Sequence, residues 1–148
     1  MNGPSPEPGP AGDRGVTVAV VGVGLIGGSV ALAAKERLGA TVVGWDADAG
    51  ALRAAAERGA LDVAAPDLAA AVAQADAVFV AASLGAVPDT VAQVLAAAGP
   101  DCVVTDVGST KALVADRFSG DGRFVGGHPL AGAATAGIDQ ARADLFEQ

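Results

Sequence analysis

The sequence predicts an open, doubly wound α/β domain, a single parallel sheet with helices on both faces. Three observations carry that expectation. Apolar runs of strand length alternate with Ala-rich helical stretches from end to end, the order that specifies parallel strands joined by right-handed crossovers. The strand runs "VTVAVV" and "DAVFVAA" are continuously apolar rather than alternating, as strands buried on both faces are. Two of the helical stretches stop at a glycine, Gly39 and Gly59, the residue best suited to a left-handed C-cap.

The elements follow in order. Residues 16–21 read as the first strand, and "LIGGSVALAAKERLG" as the first helix, ending at Gly39. "ATVVGWD" is a second strand and "AGALRAAAERG" a second helix. "LDV" offers a short third strand, followed by a helix over "DLAAAVAQA" and a fourth strand over "DAVFVAA". "VPDTVAQVLAAAG" is helical, "CVVTDVG" a fifth strand, and "STKALVADRF" a helix with Ser109 or Thr110 as N-cap. "RFVGG" is a sixth strand that runs into a glycine-proline turn. The remaining "AATAGIDQARADLFEQ" reads as the start of a further helix.

Composition sets the outer bounds. With 148 residues, 51% hydrophobic and 18% charged, the chain is one globular domain. Residues 1–14, rich in Pro and Gly, read as a disordered tail without the basic start and apolar run of a secretory signal. Residues 15–132 form the domain, and residues 133–148 read as the start of a truncated helical continuation. No apolar stretch approaches the roughly 20 residues of a membrane span. The net charge of −8 argues against nucleic acid, which calls for a basic stripe. One cysteine, Cys102, excludes an internal disulfide and is simplest to place in a reducing cytoplasm. No ligand set for a metal is visible. An acidic chain that binds an anion must do so through local donors.

The first strand-to-helix turn supplies such donors. It reads Gly22-Val23-Gly24-Leu25-Ile26-Gly27, a G-x-G-x-x-G between a buried strand and a helix. Gly22 allows the sharp turn, Gly24 lets the backbone approach a pyrophosphate, and Gly27 lets the helix pack on the strand. Leu25 and Ile26 place their backbone N–H groups at the helix N-terminus, where an anion is stabilised. Asp46 ends the second strand, about 20 residues beyond the last glycine, the spacing of a ribose-binding carboxylate in a Rossmann-type dinucleotide site. The competing role for Asp46, shared with Asp48, is to cap the next helix. A carboxylate accepts from a free ribose 2′-hydroxyl and repels a 2′-phosphate, and "WDADAG" has no adjacent arginine, so NAD is favoured over NADP.

In this fold ligands lie across the carboxyl ends of the strands. Ser83 in "AASLG", Ser109 and Lys111 in "DVGSTK", and His128 in "GGHPLAG" therefore fall toward the reactive half. His128 is the only histidine. Imidazole, whose unperturbed pKa lies near neutrality, is suited to exchanging a proton with a hydroxyl during hydride transfer. The plain alternatives are a chance histidine on a surface loop, and helix capping with a solvated lysine at positions 109–111.

Taken together, "VGVGLIGGS", "DVGSTK" and "GGHPLAG" followed by "ARADLFE" resemble the prephenate/arogenate dehydrogenase family of tyrosine biosynthesis. The resemblance implies NAD-dependent oxidative decarboxylation of a cyclohexadienyl substrate. It matches His128 to the catalytic histidine that hydrogen-bonds the ring hydroxyl, and Ser109 to a serine close to substrate and nicotinamide. Ser83 is counted among the cofactor-contacting residues, and Lys111 among those facing substrate. The chain has Ala133-Ala134 where the family commonly has Ser-Glu, and Ser83 where it usually has proline. The resemblance further implies an all-helical domain carrying dimer contacts and a carboxylate-binding arginine. Within residues 1–148 only Arg142, beyond His128, is placed to approach a ligand. Two other readings stay open, a non-catalytic NAD-binding module and a Rossmann-type dehydrogenase acting on a β-hydroxy acid or an imine.

Overall fold

The computed structural model of the chain describes residues 14–108, 112–127 and 137–147. Its strands are β1 (Thr17–Val21), β2 (Thr41–Trp45), β3 (Val63–Ala64), β4 (Ala77–Val80), β5 (Val103–Asp106) and β6 (Phe124–Gly126). Among the described residues they form one parallel sheet in the order β3-β2-β1-β4-β5-β6. β1 and β4 are neighbours, so the strand order reverses between them. That reversal opens a crevice at the carboxyl ends of the central strands. The helices are α1 (Leu25–Leu38), α2 (Ala49–Glu57), α3 (Leu68–Val72), α4 (Val87–Ala97) and α5 (Ala112–Phe118).

The continuous apolar runs are explained by two cores, one on each face of the sheet. Alternate residues of β1 divide between them. Val18 and Val20 join Ala31, Ala34, Val42, Ala55 and Leu61 beneath α1 and α2. Ala19 and Val21 join Val78, Val80, Val104, Val91 and Phe118 beneath α3, α4 and α5. Alanine and valine dominate because helices carrying little more than methyl groups can lie close to the sheet, and that close packing replaces the bulk of aromatic side chains. The expected glycine stops hold. Gly39 caps α1 in the left-handed conformation at φ 61°, and Gly59 follows α2 at φ 79°.

The end of the chain departs from the sequence expectation. In place of a helix, residues 137–147 contain a short 3-10 turn (Ile138–Gln140) and further turns. Gly137 enters with φ 102°, and the segment then lies against α1. Ile138, Ala141 and Leu145 are buried there, the Arg142 N–H donates to Ser29 Oγ at 3.1 Å, and the Arg58 guanidinium donates to the Ala141 carbonyl. An ion pair, Arg37 with Glu147, holds the far end. Local periodicity suggested a helix, and burial of Ile138 and Ala141 against Gly28 outweighs it. Gly28 has no room for a side chain, since a Cβ would lie 2.2 Å from Ile138 Cδ1. α1 is thus covered on two sides, by sheet and by this segment.

No helix of the described residues is long and apolar enough to cross a membrane. Cys102 is buried immediately before β5, and burial raises its thiol pKa.

Candidate functional site

The turn from β1 into α1 is shaped by what its glycines exclude. Gly22 has φ 93°, a conformation that suits glycine, and its N–H donates to the Trp45 carbonyl at 2.8 Å. A Cβ there would also lie 2.5 Å from the Ala81 carbonyl oxygen, so the turn is wedged between β2 and the end of β4. Gly27 is tighter still, because its Cβ would fall 1.8 Å from the Gly22 carbonyl oxygen and 3.1 Å from Val20 Cγ1. Gly24 differs. No atom lies within 4 Å of the position a Cβ would take, so this backbone faces open space. Gly24 is also the N-cap of α1, with no side-chain cap and no acidic residue in the first turn. An uncapped 14-residue helix leaves N-terminal amides and the positive end of its dipole facing that space, beside the half-buried Leu25 and Ile26.

Asp46 closes the other side of the crevice. Its Oδ2 accepts from the Val23 N–H at 2.9 Å and its Oδ1 from the Asp48 N–H at 2.8 Å. The carboxylate is therefore bound to the glycine turn itself. Helix capping falls to Asp48, whose side chain accepts from the Gly50 and Ala51 N–H groups. This division separates the two roles that the sequence left open between these residues. A carboxylate offers about four acceptor positions, and backbone takes two of them. Asp46 keeps capacity for a hydroxyl donor.

On the opposite side of the reversal, Ser83 is exposed in the loop after β4, where its carbonyl accepts from the Ala86 N–H. Ser109, Lys111 and His128 lie outside the described residues, and so does the proposed cap at Thr110. The residues that precede Ser109 and His128 are described, and they meet. Gly108 N–H donates to Asp106 Oδ2 at 3.0 Å, and Gly127 N–H donates to Asp106 Oδ1 at 3.3 Å. Asp106, at the end of β5 and 1% exposed, was not singled out from the sequence. A signal was available, since an acidic residue closing a buried apolar strand needs hydrogen-bond partners close by. A cavity of about 290 Å³ opens beside it at the carboxyl ends of β4, β5 and β6, lined by Val30, Phe79, Thr105, Asp106, Val107, Gly127 and Phe146.

Arg142 is not on a helix. Its exposed side chain lies 3.4 Å from Asp144. Arg123, at the amino end of β6, spends its guanidinium on Asp121 and on the Leu95, Ala98 and Gly99 carbonyls, away from the crevice. No group of three or more His, Cys, Asp or Glu side chains that could hold a metal comes together among the described residues.

A strand order reversing beside a glycine turn, with an uncapped helix above it and a carboxylate across it, defines a Rossmann-type domain of the kind dehydrogenases carry. The chain belongs to the prephenate dehydrogenase nucleotide-binding domain family, whose model matches residues 30–148. Prephenate dehydrogenase of Bacillus subtilis is 36% identical over 140 residues, which cover 88% of this chain and 37% of the relative. Among solved structures, Synechocystis arogenate dehydrogenase superimposes with TM-score 0.81 at 34% identity, over 88% of this chain and 47% of that one. Prephenate dehydrogenase from A. aeolicus, in complex with hydroxyphenyl propionate and NAD+, superimposes with TM-score 0.80 at 28% identity, over 89% of this chain and 48% of that one. The chain thus spans less than half the length of these relatives.

Proposed function

We propose that this chain is the NAD-binding part of a dehydrogenase that oxidatively decarboxylates prephenate or arogenate. The observation that carries the reading is the contrast among three glycines of one turn. Gly22 and Gly27 are closed by backbone, whereas nothing lies within 4 Å of the position a Gly24 Cβ would take. That contrast fits a pyrophosphate lying on the α1 N-terminus, with Asp46 directed at the adenosine ribose. Gly22, Gly24, Leu25, Ile26, Gly27, Asp46 and Ser83 are the residues assigned to the cofactor. The A. aeolicus relative was solved with NAD+, which supports NAD as the cofactor.

Bound NAD supplies a hydride acceptor. The chain's own contribution to chemistry is His128, which takes the proton of the ring hydroxyl as hydride leaves that carbon and the ring carboxylate departs as CO2. Loss of the proton turns the hydroxyl into a carbonyl or phenolic oxygen without building positive charge there. Ser109 and Lys111 are assigned to the substrate side. Orienting a substrate with two carboxylates needs fixed cationic donors; Arg123 is held by Asp121 and backbone carbonyls, and Arg142 is exposed beside Asp144 rather than fixed. The family resemblance assigns the carboxylate-binding arginine and the dimer contacts to an all-helical domain.

The test is NADH formation with prephenate and with arogenate. The chain of 148 residues is expected to show no useful turnover with either, and the same chain joined to a relative's helical domain is expected to gain it. Clear turnover by the chain alone, or none in the joined protein, contradicts the proposal.

A further inference from the structure

Asp106 is buried, acidic and unused by the chemistry just described, yet two loops converge on it. One leaves β5 through Gly108 into Ser109. The other leaves β6 through Gly127 into His128. Each hands the carboxylate a backbone N–H, at 3.0 Å to Oδ2 and 3.3 Å to Oδ1. The two glycines are shaped by the same side chain and its strand. A Cβ on Gly108 would lie 2.9 Å from Asp106 Oδ2, and one on Gly127 would lie 2.7 Å from the Asp106 carbonyl oxygen and 2.9 Å from Thr105 Oγ1. Gly126 is the register partner of Asp106 across the β5–β6 ladder, and Val80 is its partner across β4. The carboxylate is thus fixed to the sheet, and Gly108 and Gly127 are fixed to the carboxylate.

We propose that Asp106 is a positioning residue that sets Gly108 and Gly127 against each other, by accepting their N–H groups on its two oxygens, and through them acts on Ser109 and His128, the next residues in the chain. The inference rests on the dehydrogenase reading for its consequence in turnover, but the linkage itself does not. An aspartate suits the task and its neighbours in chemical space do not. Asparagine has one carbonyl oxygen, so its amide NH2 would face an N–H donor and one loop would be released. Serine is too short to reach both loops, and glutamate needs space that the approach of Gly108 denies.

The experiment uses 15N-labelled chain and its asparagine variant, Asp106→Asn, read by NMR. In the unsubstituted chain the Gly108 and Gly127 amides are expected to exchange with solvent much more slowly than other loop amides. In Asp106→Asn one or both should lose that protection. The single imidazole signal of His128 should broaden or split as its loop samples several arrangements. The His128 signal is unambiguous, because the chain holds one histidine. NADH affinity should stay within about twofold, since the adenosine half lies across the crevice. In the joined protein kcat should fall about 10²-fold, the cost of a displacement near 1 Å, with KM for NAD little changed. Fast exchange of either glycine amide in the unsubstituted chain overturns the proposal even if the variant fails to fold. A sharp, unmoved His128 signal in Asp106→Asn also overturns it, as does an equal loss in kcat and in NAD affinity. If the unsubstituted joined protein shows no turnover, the dehydrogenase reading fails while the exchange and imidazole measurements still decide the linkage.

Discussion

Gly27→Ala is expected to unfold part of the domain and abolish dinucleotide binding together. The added methyl would fall 1.8 Å from the Gly22 carbonyl oxygen, which is main chain and cannot rotate away. Gly22 itself is tied to Trp45 at 2.8 Å and pressed against Ala81, so relief requires α1 to lift from β1. Overpacking a core position typically costs 1–3 kcal/mol, and a backbone clash belongs at or beyond the upper end, about 3 kcal/mol. For a domain of this size that lowers Tm by about 6–12 °C. Gly24→Ala is the matched control. Its methyl meets nothing within 4 Å, so Tm should hold within about 1–2 °C while NADH affinity drops, because the methyl fills the space the pyrophosphate needs. Thermal melts and NADH titrations of both variants check the contrast. Equal Tm values for the two substitutions would contradict the packing argument, and full NADH affinity in Gly24→Ala would contradict the ligand argument.

His128→Asn is expected to leave NADH affinity nearly unchanged and to lower turnover of the joined protein by about 10²–10⁴-fold, the usual contribution of a positioned acid or base. Asparagine retains a hydrogen bond to a hydroxyl but cannot accept its proton near neutral pH. Steady-state kinetics with saturating NAD separates the two effects. Near-normal kcat in the variant would return "GGHPLAG" to an ordinary turn.

The alternation of strands and helices was legible because its signals are local. Continuous Val/Ala runs, a glycine after each of the first two helices, and a fingerprint between strand and helix each need only a short window of sequence. The Asp46 spacing was legible for the same reason. Its separation from Asp48 was not, since both acidic residues precede α2 and only the fold shows that Asp46 turns back to Val23 while Asp48 caps. The course of residues 137–147 was hidden because it depends on contacts with Gly28, Ser29 and Arg58, all distant in sequence. The second glycine of "LIGGS" carried that information without announcing it. Asp106 is not legible in a short window, because its partners Gly108 and Gly127 come from two different strand ends. A constellation assembled by long-range backbone contacts leaves only its odd residue types in the sequence, and Asp106 with Gly108 and Gly127 is such a set.

The central claim is that this fold presents one crevice for a dinucleotide, with Asp46 reading the adenosine ribose. Fluorescence titration of the chain with NADH and with NADPH tests it most directly, with Asp46→Ala run beside it. The account predicts that NADH binds at least about tenfold tighter, a difference near 1.4 kcal/mol, because the carboxylate accepts from a ribose hydroxyl and repels a phosphate. Asp46→Ala should weaken NADH and narrow the gap, losing both the ribose acceptor and the bond that steadies Val23 at 2.9 Å. NADPH binding as tightly as NADH, or an Asp46→Ala variant that discriminates as well as the parent, would contradict it.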